Sequence, residues 1–228
     1  MSTPAPRIAL VHATPLAVAP IQDAFSRHWP RAIRMNVLDD SLSADRAAAG
    51  RLTDAMVARF LDLARYVVSA GSDGILFTCS AFGPAIEAAA RVAGGRPTLK
   101  PNEAMFEQAL ALRPRAGVLK AGLLATFEPS LASMAGELHA MADERGVTVD
   151  LHRVFVPHAM QDLAQGRDGE HHRRIAEAAR ALGDCDVVML AQFSMAAARD
   201  DVQEHLPCPV LASPDCAVLQ LKERIAHA

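Results

Sequence analysis

The chain has 228 residues, of which 51% are hydrophobic and 21% charged, with a net charge of −3, a composition that excludes a disordered chain and allows a substantial core. Acids and bases are mixed along it, so no basic stripe offers itself to nucleic acid and no polybasic cluster to a membrane surface. The four cysteines, Cys79, Cys185, Cys208 and Cys216, form no CxxC pair and no zinc-type spacing, and they are too few to frame a chain of this size with disulfides.

The opening MSTPAPRIALVHATP lacks the basic start and apolar core of a signal peptide, and no apolar run reaches the length of a membrane span. The expectation is a cytoplasmic protein with reduced thiols, no metal site, and neither nucleic acid nor membrane as partner.

In chain order, Met1 to Pro6 reads as a polar leader, and Arg7 to His12 as a first strand stopped at Ala13-Thr14-Pro15. A helix follows from about Ala17 to His28, then a strand from Ile33 to Leu38 that ends at Asp39-Asp40-Ser41. Leu52 to Ser69 carries Met56, Phe60, Leu63, Ala64 and Val67 at helical spacing, with Gly71 as its stop. Gly74-Ile75-Leu76-Phe77 is a short apolar run of the kind buried in a parallel sheet, and a helix begins near Ala85. Thr98-Leu99 is a short strand, and a helix runs from about Glu103 to Leu112.

A second series starts at Ala116. Gly117 to Leu119 and Gly122 to Ala125 are apolar, Thr126 to Ser130 turns, and Ser130 to Glu144 is helical. Val147 to Leu151 and Val154 to Val156 are extended and break at Pro157-His158. Glu170 to Leu182 is a helix in which His171-His172-Arg173-Arg174 reads as a solvated face rather than a metal site. Asp186 to Leu190 and Pro209 to Leu211 are strands, and Cys216 to Ala226 is a closing helix.

This alternation of strand and helix means parallel sheets with helices on both faces. The halves also repeat. Asp73-Gly-Ile-Leu-Phe and Asp186-Val-Val-Met-Leu are 113 positions apart, Pro97-Thr-Leu and Pro209-Val-Leu 112, and Pro15 and Pro129 114. The expected fold is two pseudo-symmetric α/β lobes, one formed by residues 1–98 with 212–228 and the other by residues 99–211, with a ligand site in the cleft between them.

The stretch DGILFTCSAFGP, from Asp73 to Pro84, carries the chemistry. It puts the Cys79 thiol at the carboxyl end of a parallel strand and before a helix, where open α/β sheets hold ligands and where a helix end favours the thiolate. The plainer reading is a small buried hydrophobe.

Together these elements resemble the aspartate/glutamate racemase superfamily, which includes hydantoin racemases, maleate isomerases and arylmalonate decarboxylases. The resemblance rests on Thr78-Cys79-Ser80 after its strand, Leu124-Ala125-Thr126, the strand Val187 to Leu190, and Pro209-Val-Leu-Ala-Ser-Pro214. It implies two facing lobes, no cofactor, a homodimer or higher oligomer, and a small carboxylate or carbonyl substrate. A thiolate on one lobe removes the proton next to the carboxylate, and a thiol on the other returns one. By this likeness Cys79 is the first catalytic thiol, and Ser80, Ala81 and Thr126 are anion contacts.

The second thiol is missing, because the lobe offset puts Gln192 in its place. An amide cannot act as acid or base, but it can hydrogen-bond a carboxylate or an enolate oxygen. His12 and His158, near strand ends, are candidate stand-ins, against the plainer reading of hydrogen-bonded or solvent-facing histidines. Asp39 and Asp40 could hold a substrate amine or simply cap a helix. Ser194 and Ser213 could add hydroxyls, and Phe82, Phe127 and Phe193 could wall the pocket or serve as packing. The resulting expectation is a cofactor-independent racemase or isomerase with one thiol. Two alternatives stay open: a decarboxylase of the arylmalonate type, and a non-catalytic binder of small acids.

Overall fold

The computed structural model describes residues 4–113 and 117–227, so Met1–Thr3 of the leader and Ala116 lie outside the described residues. The chain divides into two units, Met1–Pro101 with Ala217–Ala228, and Asn102–Cys216.

Unit one is built on a four-stranded parallel sheet. Its strands are β1 (Arg7–His12), β2 (Ile33–Leu38), β3 (Gly74–Phe77) and β4 (Thr98–Leu99), in the order β2-β1-β3-β4. The helices are α1 (Val18–His28), α2 (Ser41–Ala49), α3 (Asp54–Ser69) and α4 (Gly83–Arg91), joined by the end of the closing helix, α10 (Ser213–Ala226). Alternation along the strands sorts side chains to two faces. Ala9, Val11, Ile75 and Phe77 pack with Leu42 of α2, Met56, Phe60 and Ala64 of α3, and Ile86 of α4. The Phe60 ring lies 5.4 Å from that of Phe77 and 4.9 Å from that of Phe82. On the other face the Gly74 backbone meets Leu221 and Ile225 of α10 so closely that an added Cβ would lie 2.7 Å from Ile225 Cδ1. Thr53 starts α3 by accepting the Met56 amide on Oγ1 (3.3 Å), and Gly71, at φ +76°, follows its end in the left-handed conformation that glycine adopts without strain.

Unit two repeats the plan with β5 (Leu119–Ala125), β6 (Val149–Phe155), β7 (Val187–Leu190) and β8 (Val210–Ala212), in the order β6-β5-β7-β8. One face, with Leu119, Ala121, Leu123 and Met189, packs on α5 (Glu103–Leu110) and α6 (Glu128–Glu144). The other, with Leu124, Val188 and Leu190, packs on α8 (Asp168–Ala179) and α9 (Arg199–Gln203), and on Ala159 at the start of α7 (Ala159–Ala164).

The repeat extends to single hydrogen bonds. The Asp73 carboxylate accepts the Arg7 amide at 2.7 Å, and the Asp186 carboxylate accepts the Lys120 amide at 3.0 Å, so each aspartate holds the start of its central strand. Thr78 N donates to Val11 O as Ala191 N does to Leu124 O, and Ile75 N donates to Pro97 O as Val188 N does to Pro209 O. The expected α/β class, two parallel sheets flanked by helices, is the fold found.

Three expectations change. Ser41–Ala49 is a helix where the sequence suggests only a strand end, α7 and α9 add short helices, and the two extended pieces around His152-Arg153 form one continuous edge strand. Among the described residues no helix is long and apolar enough to cross a membrane.

Candidate functional site

In unit one the strands end at His12, at Leu38, just before Asp39, and at Phe77, just before Thr78-Cys79. Cys79 has extended backbone (φ −122°, ψ 118°) and precedes a 3-10 turn, Ser80–Phe82, before α4 begins. The residue is half-buried. The Ala81 amide and the Ser43 hydroxyl of α2 lie within hydrogen-bonding reach of the sulfur. Burial pushes the thiol above its ordinary value, and these two donors only partly oppose it. The expectation that the helix end favours a thiolate is therefore corrected: the 3-10 turn separates the sulfur from α4, and desolvation wins.

His12 is fully buried. Its Nε2 lies 3.1 Å from Asn36 Oδ1, which offers only lone pairs, so this nitrogen carries the proton. Its Nδ1 then accepts from Thr78 Oγ1 at 2.8 Å. Gln22 Nε2 donates to the same Asn36 oxygen at 2.8 Å. Both ring nitrogens are used inside the unit, and His12 fixes Thr78, the residue before Cys79. Burial holds its pKa below the usual histidine value, against the Asn36 bond.

Asp39 does not wait for an amine either. Burial works against its carboxylate, but Arg59, bonding both oxygens, and the Ser41 hydroxyl outweigh that and hold its pKa below the usual range. Arg59 also reaches Asp45 at 2.6 Å. Phe82 is fully buried against Phe60, so it belongs to the core rather than to a pocket wall.

In unit two the equivalent strand ends bring Thr126 and Gln192 together. Gln192 Oε1 accepts both the Thr126 amide and the Thr126 hydroxyl, the latter at 3.0 Å. Two donors on one atom assign that atom as the oxygen, and the amide Nε2 is left with two protons to offer. Thr126 is 5% exposed, and both its donors are engaged by Gln192. The Ala81 amide is likewise aimed at the Cys79 sulfur.

Phe127 and Ser194 are half-buried and Phe193 is buried, each following Thr126 or Gln192 in the chain. Ser213 is fully buried and bonds Asn102 Oδ1 at 2.6 Å, which removes it as a substrate donor. His158 is exposed at the turn after β6, with Nδ1 3.3 Å from Gln161 Oε1. It is the one non-glycine among the described residues with positive φ (65°).

Sequence reading missed His171. It is fully buried, with Nδ1 2.7 Å from Ala159 O and Nε2 3.2 Å from Ser194 O, so the solvated-face reading is corrected there. Cys185 and Cys216 are buried, and burial pushes their thiols up to about 11 and about 12. Among the described residues no group of three His, Cys, Asp or Glu side chains is gathered to hold a metal ion.

No curated protein sequence matches the chain. Solved structures do match in fold. Glutamate racemase from Francisella tularensis subsp. tularensis SCHU S4, in complex with D-glutamate, has a TM-score of 0.70 at 12% identity, covering 98% of this chain and 82% of that one. Allantoin racemase from Klebsiella pneumoniae has a TM-score of 0.70 at 17% identity, covering 98% and 89%. A mutant of arylmalonate decarboxylase in a sulfate-associated form has a TM-score of 0.63 at 17% identity, covering 98% and 94%. At such identities the likeness is one of fold alone. The Asp/Glu/Hydantoin racemase family matches residues 12–221, nearly the whole length, and the chain belongs to that family.

Proposed function

We propose that this protein is a cofactor-independent enzyme that acts at the carbon next to a carboxylate or carbonyl of a small acid, amino acid or hydantoin, with Cys79 as its single acid–base thiol. The observation that carries the reading is the contrast between two equivalent strand ends, a thiol at Cys79 and an amide at Gln192 pinned by its oxygen to Thr126. Cys79 moves the proton, and the Gln192 Nε2 protons hydrogen-bond the oxygen that gains charge as an enolate forms. Ser80, Ser194 and the turn at His158 supply further polar contacts, and Phe127 and Phe193 an apolar boundary.

With one thiol, the proton leaves and returns on the same face. The Cys79 thiol first gives its proton to water; the carbon–hydrogen electron pair then passes to the oxygen as an enolate while the thiolate takes the proton, and the thiol exchanges that proton with water before returning one to the carbon. Exchange with solvent is then faster than inversion.

A second reading is favoured by the raised Cys79 thiol, which rests protonated and ready to donate. In a substituted malonate the bond to one carboxylate breaks and carbon dioxide leaves. The electron pair stays as an enediolate, Cys79 protonates that carbon, and the thiolate recovers a proton from water.

The test is a panel of dicarboxylates, amino acids, hydantoins and substituted malonates in deuterated water, followed by polarimetry and mass spectrometry. Turnover or exchange on at least one class, lost in Cys79→Ser with the fold intact, is the expected result. A Cys79→Ser enzyme as fast as wild type overturns both readings. Ligand binding that is unchanged in Cys79→Ser, without any turnover by wild type, marks a binding protein instead.

A further inference from the structure

His171 is a buried ring aimed at two backbone carbonyls. Ala159 O, at 2.7 Å from Nδ1, belongs to the first residue of α7. Ser194 O, at 3.2 Å from Nε2, belongs to the 3-10 turn Phe193–Ala198 that Gln192 caps. A carbonyl oxygen only accepts, and a neutral imidazole has one N–H to give. The neutral ring therefore satisfies the shorter contact, to Ala159, and turns a lone pair toward Ser194. Only a ring with both protons bonds both carbonyls. The ring is fully buried, and Ala159, Ile175 of the same helix as His171, and Met195 of the same turn as Ser194 belong to one apolar cluster.

We propose that His171 is a positioning residue for Gln192, tying the turn that begins at Gln192 to α7, and that the tie is complete only when the ring is doubly protonated. The consequence for catalysis rests on the reading of Gln192 as a substrate donor, whereas the tie itself does not.

The charged and titratable neighbours are few. On α8, Asp168 favours the protonated ring and His172, whose ring lies 5.7 Å away, disfavours it. His172 itself faces Asp201 of α9 at 3.4 Å. Asp162 of α7 is taken up by Arg167 and by Arg174 at 2.6 Å. Asp200 of α9 is paired with Arg199. Burial is the largest influence on the ring and moves its titration below the ordinary histidine value, so the second bond forms on the acid side of neutrality.

The test is heteronuclear NMR of the full chain between pH 7.5 and 5. The ring nitrogens of His171, the Ser194 carbonyl carbon and the Gln192 side-chain amide are followed together. The expected result is one shared midpoint, below the ordinary histidine value, for all three. In His171→Phe the step at Ser194 and Gln192 is lost, while it survives in His12→Phe, which removes the other buried imidazole with a lowered pKa. Flat Ser194 and Gln192 resonances through the His171 midpoint overturn the proposal, and so does a step that persists in His171→Phe. Should His171→Phe not fold, the shared or unshared midpoint within wild type decides. This readout needs no turnover, so its failure is distinguishable from a failure of the catalytic reading.

Discussion

Replacing Gln192 by glutamate separates the two jobs that its side chain performs. The glutamate has the same shape and keeps an oxygen for the Thr126 amide and hydroxyl, so no donor on that 5%-exposed residue is stranded. What it loses is the pair of Nε2 protons, and what it gains is a negative charge. A hydrogen bond to a charged group contributes about 1.5–3 kcal/mol. Its loss from an anionic transition state lowers kcat/KM by about 10- to 150-fold at 1.36 kcal/mol per decade. Gln192→Leu is the contrasting change: it leaves both Thr126 donors without an acceptor and costs about 1–3 kcal/mol of stability. The assay is kcat/KM on whichever panel compound turns over fastest, set beside urea unfolding of all three proteins. The glutamate enzyme is expected to unfold no earlier than wild type yet to be strongly impaired, and the leucine enzyme to be weakened on both counts. A glutamate enzyme with wild-type kcat/KM refutes the donor role of Gln192.

Other outcomes follow from the same geometry. His12 and His171 both have pKa values lowered by burial, so the unfolded chain binds more protons than the folded one below about pH 6.5. Their contribution to stability is present above that pH and lost as pH falls toward the folded-state values. Urea midpoints should therefore drop between pH 7.5 and 5, and by less in His12→Phe; a pH-independent midpoint contradicts this. In Gly122→Ala the new Cβ would lie 2.7 Å from Leu182 Cδ1 and 3.1 Å from Val188 Cγ2, overpacking the face under β5 by about 1–3 kcal/mol. An unchanged melting temperature would show that Leu182 can move aside freely. Gln192→Cys restores a thiol at the equivalent strand end, and polarimetry should detect new or faster racemisation; none at all speaks against equivalence of the two positions.

The strands were legible because buried parallel strands are short apolar runs fenced by Asp, Gly and Pro, and the repeat at Asp73 and Asp186 was legible because both aspartates bond the start of a central strand. Helix α2 was not, since Leu42 is its one buried side chain and no apolar stripe announces it. The edge strand β6 looks interrupted in the sequence because it exposes His152 and Arg153 to solvent. At the site, the position of Gln192 followed from the offset between the halves. That Thr126 spends its donors on Gln192, and that His12 serves Thr78, depends on long-range contacts that no local pattern encodes. The burial of His171 does have a local signal: with Ile175 and Ala179 it recurs every four residues along the buried stripe of α8.

The most direct measurement of the central claim is solvent deuterium incorporation into one enantiomer of a turned-over substrate, read together with its optical rotation. A single acid–base thiol at Cys79 predicts that deuterium enters with retention, well ahead of any loss of rotation, and that Cys79→Ser stops it. Deuterium entering at the same rate as rotation is lost, or undiminished exchange in Cys79→Ser, would contradict the account.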